Sequence, residues 1–152
     1  MRRPGHLLAL LALFAGLLFP VPQVAGRPST PEGTQALSTR SFQTPSENIV
    51  CHLQRGRPKF LRCDIRSGLN PEPDRDCDLD WVGLLLPSQK RARANCAGDT
   101  VPNQDPEVLE YGKRWERGRF SCVSRRSGLG CQNASGYHFK LSRDDWSRWY
   151  RP

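Results

Sequence analysis

Four aspartates spaced two residues apart are the side chains whose types and spacing most resemble a chemical site. They lie around Cys77 in PDRDCDLDW, residues 73–81. Carboxylate oxygens are natural calcium ligands, but a helical calcium loop requires Gly at its sixth position and Glu at its twelfth. A loop that begins at Asp76 has Trp81 and Pro87 at those positions. The helical calcium loop is therefore excluded.

We interpret this segment as one strand of a small disulfide-bonded domain. Side chains alternate between the two faces of a strand, so Cys77, Leu79 and Trp81 share a face that we expect to point inward. The other face holds the acids, which we expect to face solvent or nearby arginines: Asp74, Asp76, Asp78 and Asp80. Neighbouring acids would lie about 6.6 Å apart, so one calcium ion could take two of them. We predict no metal and no cofactor, with a calcium site built from other loops as the alternative.

Hydrolysis would need a nucleophile, a base and an orienting group, or two well-placed carboxylates. The motifs G-x-S-x-G and H-E-x-x-H do not occur. By residue type, His52 or His138 could act as a base. Candidate partners and further carboxylates are Ser142, Asp144, Asp145, Glu107 and Glu110. Their spacing does not require a site, so we assign no catalytic residue and keep a small secreted hydrolase using His52 or His138 as an alternative.

The six cysteines indicate a covalent framework. An even number in a short exported chain favours three disulfides, although six cysteines allow 15 pairings. Turn residues near the middle of residues 51–63 and of residues 122–131 would place the cysteines of each segment opposite each other on a hairpin. The pairing that we favour is therefore Cys51 with Cys63 and Cys122 with Cys131, which leaves Cys77 to pair with Cys96. A zinc site is disfavoured because no C-x-x-C spacing occurs.

The N-terminus predicts export. Arg2 and Arg3 precede a short apolar run over residues 7–19, and the small residues Ala25 and Gly26 suit a signal peptidase. The run is shorter than the roughly 20 apolar residues that span a membrane. We therefore expect cleavage near Ala25 or Gly26, by the general or the twin-arginine route, and a secreted or surface-associated protein. No second apolar run follows, so we expect no transmembrane segment in the mature chain.

We divide the chain into a signal peptide over residues 1–26, a flexible linker over 27–41 and one domain over 42–152. The linker is rich in Pro, Ser, Thr and Gly and has no apolar period. In the domain, Gly and Pro separate short segments that predict strands in an all-β or mainly β fold, a small antiparallel sheet or barrel-like domain of hairpins. The predicted strands are Asn48–Leu53, Phe60–Ile65, Leu79–Leu86, Arg93–Val101, Arg119–Ser124 and Tyr137–Leu141.

The C-terminus reads differently from the rest of the domain. Ser142 is a suitable N-cap with Asp145 three residues later, and Trp146, Trp149 and Tyr150 follow helical spacing. The pattern predicts a short C-terminal helical turn that packs its aromatic side chains on the sheet. An exposed sugar-stacking platform made by the two tryptophans is the alternative.

Seven short motifs occur in the order FQTPSENIVC, LRCDI, CDLDW, CAGDT, YG, FSCVSRRSGLGC and GYHFKLSR. This order resembles a family of small exported bacterial proteins of unknown function, whose pattern is FxTPSGNIxC, RCDI, CDxDWG, CAGDT, YG, FxCxSxxxGxxCxN and GxGFxxSR. The resemblance runs from Phe42 to about Arg143. It implies that CDLDW belongs to a domain signature, and it implies no activity.

The chain departs from that pattern at Glu47, Val82 and His138, where the pattern has or favours Gly. Glu47 argues against a turn with positive φ, because Glu tolerates that conformation poorly. The sequon Asn133-Ala134-Ser135 would be idle in a bacterium, whereas a eukaryotic secretory pathway could glycosylate it.

Positive charge is the strongest indication of a partner. Without Arg2 and Arg3, 21 basic residues stand against 15 acidic ones, a net charge of +6. The basic residues concentrate at predicted turns: Arg55, Arg57 and Lys59; Lys90, Arg91 and Arg93; Lys113, Arg114, Arg117 and Arg119; Arg125 and Arg126. If these turns gather at one end of the domain, they form a patch that attracts anionic polymers, and the attraction weakens with salt. Basic turns that only keep the domain soluble are the alternative.

We therefore expect a secreted, monomeric, non-enzymatic binding or structural module. Its expected ligand is an anionic cell-surface polymer, with an exported protein that it inhibits or joins as the alternative partner. The sequence contains no motif that reads nucleic acid sequence. Candidate ligand-binding residues are Arg55, Arg57, Lys59, Arg125, Arg126, Trp146 and Trp149.

Overall fold

The computed structural model describes residues 36–101 and 106–152, which form a two-sheet β structure. The predicted signal peptide, its cleavage site and most of the predicted linker lie outside these residues. Eleven strands occur in the described ranges: β1 Ser41–Gln43, β2 Ile49–Gln54, β3 Phe60–Ile65, β4 Asp80–Pro87, β5 Arg93–Ala97, β6 Glu107–Val108, β7 Arg114–Arg117, β8 Phe120–Arg125, β9 Gly128–Asn133, β10 Tyr137–Leu141 and β11 Trp146–Tyr150. The part of the chain that the structure describes contains no helix long and apolar enough to cross a membrane.

Six strands form the first sheet, in the order β5-β4-β3-β2-β1-β6. Successive strands β1 to β5 pair antiparallel, and only the short β6 joins β1 in parallel. The second sheet has the order β11-β10-β9-β8-β7 and is a series of antiparallel hairpins. Before β1, Leu37 forms a parallel bridge with Trp115 of β7, so the segment that precedes the first sheet also pairs with the second.

Alternating burial along the strands builds one core between the sheets. In β2 the buried side chains alternate with half-buried ones, and β8 repeats that pattern. Buried side chains of both sheets belong to a single hydrophobic cluster, in which the rings of Phe42 and Trp115 lie 4.9 Å apart. This alternation is what an antiparallel sheet with one solvated face requires.

Three disulfides confirm the prediction of a bridged domain. Cys51–Cys63 and Cys122–Cys131 each join directly opposed residues of a hairpin, with Cα atoms 4.1 Å apart. Cys77–Cys96 ties the loop before β4 to β5, with Cα atoms 5.8 Å apart. In the chain-entropy model each bridge stabilises the fold by about 2–4 kcal/mol.

The mainly β prediction is confirmed, but two finer predictions are wrong. The described strands form two separate sheets and no closed barrel. The predicted C-terminal helical turn is a strand, since Trp146–Tyr150 pairs along its full length with β10. A five-residue segment gains more from completing a ladder than from a single helical turn, because nucleating a helix fixes several residues for one hydrogen bond. Ser142 still caps this segment, since its hydroxyl accepts a bond from the Asp145 amide at 3.1 Å.

The aspartate segment is a loop up to β4, which corrects the strand interpretation. The prolines at 71 and 73 lack the N–H that a ladder needs, and pairing begins only where Asp80 meets Ala97. Trp81 is buried as predicted, whereas Leu79 is 59% exposed. All four aspartates are exposed.

The expectation for Glu47 is also wrong, because this residue has a φ of 55°. Its amide donates to the Thr44 carbonyl at 2.8 Å and closes a turn that has Pro45 in second position. The Glu47 side chain is exposed, so the left-handed conformation costs about 1–2 kcal/mol of backbone strain without a packing conflict.

The sequon asparagine is unavailable in the folded protein. Asn133 is 3% exposed, and its Nδ2 donates to the carbonyls of Pro87 and Lys90 at 2.7 and 3.1 Å. Its Oδ1 accepts from the amides of Ser135 and Tyr137. A glycan on Nδ2 would break bonds that connect the two sheets, so glycosylation of the folded domain is excluded on steric grounds.

Candidate functional site

Cationic side chains converge on a cleft at the end of the structure where the β2–β3 loop meets the β7–β8 turn. We call it the cationic cleft, and its volume is about 530 Å³. The basic residues of its lining are Arg40, Arg55, Arg57, Lys59, Arg117 and Arg119. No acidic side chain is part of this lining.

Three separate segments position these cations. The β2–β3 loop carries Arg55, Arg57 and Lys59, and the β7–β8 turn carries Arg117 and Arg119. The sixth cation precedes β1, where the Arg40 carbonyl accepts a bond from the Leu53 amide at 2.9 Å. The first and third segments belong to one sheet and the second to the other, so the cleft exists only because the sheets pack together.

The charges of the cleft are not neutralised within the described part of the protein. The four ion pairs found there involve other residues: Arg62 with Asp64 and with Asp99, Arg114 with Glu116, and Lys140 with Asp145. Burial, followed by the nearby charges of Arg55 and Arg117, lowers the pKa of Arg40. Like charges therefore repel one another in the cleft, and an anion would relieve that repulsion.

The cleft has an apolar base below its cationic rim. Leu53 and Phe120 line it and are 6% and 4% exposed. Four cationic side chains of the rim are exposed and could contact a charged ligand: Arg55, Arg57, Lys59 and Arg119. Arg117 is oriented by a bond from its Nη1 to the Ser38 carbonyl, and Arg119 by a 3.1 Å bond from its Nη2 to Ser135 Oγ.

Arg125 and Arg126 do not join the cationic cleft. They lie at the β8–β9 turn, at the opposite end of β8 from Phe120, which is about 17 Å away along a strand of this length. The basic residues at positions 90, 91, 93, 113 and 114 also lie outside the cleft lining. Of the predicted basic turns, the β2–β3 loop and the end of β7 with its turn are the ones that gather in space.

The two tryptophans do not form a common platform. Residues three apart on a strand point to opposite faces, so Trp146 and Trp149 are separated by the sheet. Trp146 packs against the core and donates from Nε1 to the Pro71 carbonyl at 2.8 Å. Trp149 stacks on His138 on the other face, with ring centroids 5.3 Å apart.

His52 contacts a serine that the sequence analysis did not select. Its Nδ1 lies 2.5 Å from Ser41 Oγ, because Ser41 and His52 are directly opposed on β1 and β2. In the described residues no carboxylate bonds to either ring nitrogen of His52 or of His138. The predicted partners are engaged elsewhere, since Asp145 bonds to Ser142 and Lys140. Glu107 and Glu110 are exposed and bond to neither histidine.

Burial and nearby positive charge lower the pKa of both histidines. Burial, then Arg40 and Arg55, lowers the pKa of His52 below 6.5, and burial, then Arg151, lowers the pKa of His138. A half-buried serine–histidine pair next to cations lacks, within the described residues, the carboxylate that would stabilise an imidazolium during hydrolysis. The pair therefore suits a structural contact between β1 and β2 better than a nucleophile and base.

These two histidines should make the protein less stable in mild acid. Because the folded state lowers both pKa values, the unfolded chain binds protons first, and stability falls as pH drops below about 6.5. We expect the free energy of unfolding in urea to be lower at pH 5 than at pH 7.5. The double variant His52→Asn/His138→Asn should show a smaller decline, and an equal decline in both proteins would contradict the assignment.

Carboxylates line a larger cavity of about 620 Å³ on the first sheet, namely Asp64, Glu72 and Asp80. Burial raises the pKa of Asp64, but Arg62 Nε donates to its two oxygens at 2.8 and 3.1 Å and the Val101 amide donates at 2.9 Å. These bonds fix a structural network and leave Asp64 poorly placed as a catalytic acid. In the ranges 36–101 and 106–152, no three His, Cys, Asp or Glu side chains gather where a metal ion could bind.

Three members of the cationic cleft are not among the candidate ligand-binding residues that the sequence indicated. Arg40 lies in the predicted linker, and no local pattern marks it. Arg117 and Arg119 are two of many basic residues at predicted turns, and nothing in the sequence distinguishes them from Arg114. Arg40 could have been found only by predicting that β1 pairs with β2. That pairing places Arg40 beside Leu53 and the β2–β3 loop.

Comparison with known proteins identifies a family whose function is unknown. No curated protein and no solved structure matches the chain. A family model described as a family of unknown function, DUF6636, matches residues 29–148. The match extends over most of the chain and includes every cysteine and every residue of the cationic cleft. The chain therefore belongs to DUF6636, a family of unknown function.

Proposed function

We propose that the protein is a secreted, non-enzymatic module that binds anionic cell-envelope polymers in the cationic cleft. The observation that supports this most directly is the set of six cations around one cleft that have no acidic partner in the described residues. Opposite charge in a partner lowers the free energy of such a surface, and a cleft concentrates the field. Three disulfides fit an extracellular location, since they persist in oxidising compartments.

The shape of the cleft fits a polymer segment that has both charge and apolar surface. Its volume lies within the 300–1,000 Å³ that is typical of ligand pockets. Arginine forks give paired hydrogen bonds to phosphate or carboxylate oxygens, while Leu53 and Phe120 offer contact for the carbon skeleton. Wall polymers that carry phosphate or carboxylate on a sugar or polyol backbone combine these two features.

A hydrolase using His52 is the second candidate, and the Ser41–His52 contact is the observation that favours it. We prefer binding because the same surroundings lower the pKa of His52 and supply no orienting carboxylate in the described residues. The substitution His52→Asn distinguishes the binding function from the hydrolase function. A binder retains its affinity within about twofold in this variant at pH 7.5, because the neutral ring carries no charge to lose, whereas a hydrolase loses turnover of envelope polymer.

Charge reversal in the cleft tests the proposal. We expect Arg55→Glu/Arg117→Glu to weaken co-sedimentation with purified bacterial cell envelope and binding to dextran sulfate by at least about tenfold. Arg55 follows β2 of the first sheet and Arg117 ends β7 of the second, so the two changes place a carboxylate in the cleft lining from each sheet. Binding of the unchanged protein should fall as salt rises from about 50 to 200 mM, because exposed charges are screened.

Arg66→Glu/Arg93→Glu is the matched control. Both residues are exposed and lie outside the cationic cleft, and the change in net charge is the same. If this control loses as much affinity as the cleft variant, only net charge matters and the cleft has no special role. If neither ligand binds at any salt concentration, the proposal is wrong. Salt-insensitive capture of one stoichiometric exported protein would favour the inhibitor or toxin-like alternative.

A further inference from the structure

We propose a second anion site at the opposite end of β8, a small pocket that binds a phosphate monoester group. We call it the Arg126 pocket, and its volume is about 180 Å³. Its lining combines arginines with hydroxyl groups and a carboxylate. These groups belong to Arg125, Arg126, Arg143, Tyr111, Ser127 and Asp144. This site does not depend on the cationic cleft, because the two sites share no residue.

Close packing of two turns builds the pocket. A side chain at Gly128 would lie 2.7 Å from the Leu141 carbonyl oxygen and 2.9 Å from Ser142 Cβ. Glycine therefore allows the β8–β9 turn to approach the end of β10. This approach brings Arg143, which follows β10, beside Arg125 and Arg126.

One arginine of the pocket is held in place by an aromatic ring. The Arg126 guanidinium carbon lies 5.1 Å from the centre of the Tyr111 ring, a cation–π contact that orients the group. In the described residues, Arg125, Arg126 and Arg143 form no ion pair. The hydroxyls of Tyr111 and Ser127 likewise have no hydrogen-bond partner there, so five donor groups are available to one ligand.

Size and charge both select the ligand class. A volume of about 180 Å³ corresponds to about six waters, enough for one tetrahedral group but below the range of drug-sized ligands. Three guanidinium groups and the Asp144 carboxylate give the lining a net charge of +2. A phosphate monoester carries about −1.5 to −2 at pH 7, whereas a sulfate monoester carries a single charge. The pocket therefore fits phosphate better than sulfate.

Titration of the oxidised protein with inorganic phosphate and with glycerol 3-phosphate tests the site. We expect saturable binding in 150 mM sodium chloride, followed by NMR of the arginine Nε–H groups, with Arg126 and Arg143 responding first. Arg126→Gln/Arg143→Gln should weaken both ligands by about tenfold or more, because two charge-assisted bonds are lost. A sulfate monoester should bind more weakly than glycerol 3-phosphate, because it carries one negative charge instead of about two.

Two further variants separate this site from alternatives. Arg126→Lys/Arg143→Lys keeps the charge and loses the planar fork, so we expect an intermediate loss of affinity and a native-like spectrum. In Arg55→Glu/Arg117→Glu, the response of Arg126 and Arg143 to phosphate should remain, because neither changed residue lines the Arg126 pocket. Shifts that do not saturate, equal binding in the glutamine variant, or a response confined to the cationic cleft would each overturn the proposal. If phosphate binds here while polymers do not bind the cleft, only the proposed function fails.

Discussion

Replacing Trp115 with alanine is expected to lower the free energy of unfolding by about 3–5 kcal/mol. Trp115 is the largest of the fully buried side chains in the described residues. Its ring packs on Phe42 of the other sheet, and its Nε1 donates to the Thr39 carbonyl at 2.8 Å. Alanine would leave a cavity between the sheets and a carbonyl without its donor, and a typical domain has only about 5–15 kcal/mol of total stability.

Two companion variants identify the source of the loss. Trp115→Phe keeps most of the apolar volume and removes the hydrogen bond, so we expect a smaller cost of about 1–3 kcal/mol. Trp149→Ala removes a tryptophan that is 39% exposed on the outer face of the second sheet, and it should cost less than either. Urea unfolding followed by far-ultraviolet circular dichroism, with the disulfides intact, gives the comparison. A cost for Trp115→Ala no larger than that for Trp149→Ala would contradict this account of the core.

A methyl group at Gly83 should destabilise the fold nearly as much as the Trp115→Ala substitution. A Cβ at this position would lie 2.0 Å from the Cys63 carbonyl oxygen and 2.8 Å from the Asp64 Cα, and both are backbone atoms of the neighbouring strand. Neither atom can move without separating β3 from β4 in the middle of the first sheet. We therefore expect Gly83→Ala to lower the free energy of unfolding by about 3 kcal/mol or more.

Gly98→Ala is the matched control for this prediction. A Cβ there would meet only the Leu79 side chain, at 3.3 Å, and that side chain is exposed and flexible. We expect a change of about 0.5 kcal/mol or less, measured by the same urea unfolding. Equal costs for the two variants would mean that general glycine effects, and not the contact with Cys63, determine the result.

The disulfides have a direct consequence for the cationic cleft. Cys51–Cys63 closes the β2–β3 hairpin below the loop that carries Arg55, Arg57 and Lys59. Cys122–Cys131 fixes β8, whose first residue, Phe120, lines the base of the cleft. Ordering these segments in advance lowers the conformational entropy that binding would otherwise cost.

Local patterns in the sequence were sufficient for the covalent framework and the class of fold. Turn residues midway between two cysteines predict a hairpin whether or not the rest of the domain is known, because the hairpin depends on nearby residues alone. The strands Phe60–Ile65 and Tyr137–Leu141 have the bounds that their residues predict. The short strands β1, β6 and β7 were not predicted, since strands of three, two and four residues carry little signal of their own.

The C-terminus shows why a pattern of few residues misleads. The spacing of Trp146, Trp149 and Tyr150 fits a helix, but β10 offers an unpaired edge that the segment completes. In a helix, side chains repeat every 3.6 residues, so Trp146 and Trp149 would share a face. In a strand they alternate every second residue, so the two tryptophans lie on opposite faces. A pairing partner that lies outside the segment thus overrode its local preference.

By itself, the sequence determined that the protein is a mainly β domain bridged by three disulfides and rich in basic turns, because each of these properties depends on residue type and local spacing. Only the tertiary structure decided which basic residues lie close together. Arg40, Arg55 and Arg117 meet because two sheets pack with their loops at one end, while Arg125 and Arg126 are carried to the other end by the length of β8. Charge acts through distance in space, and the distances between turns are set by strand pairing that no local pattern contains.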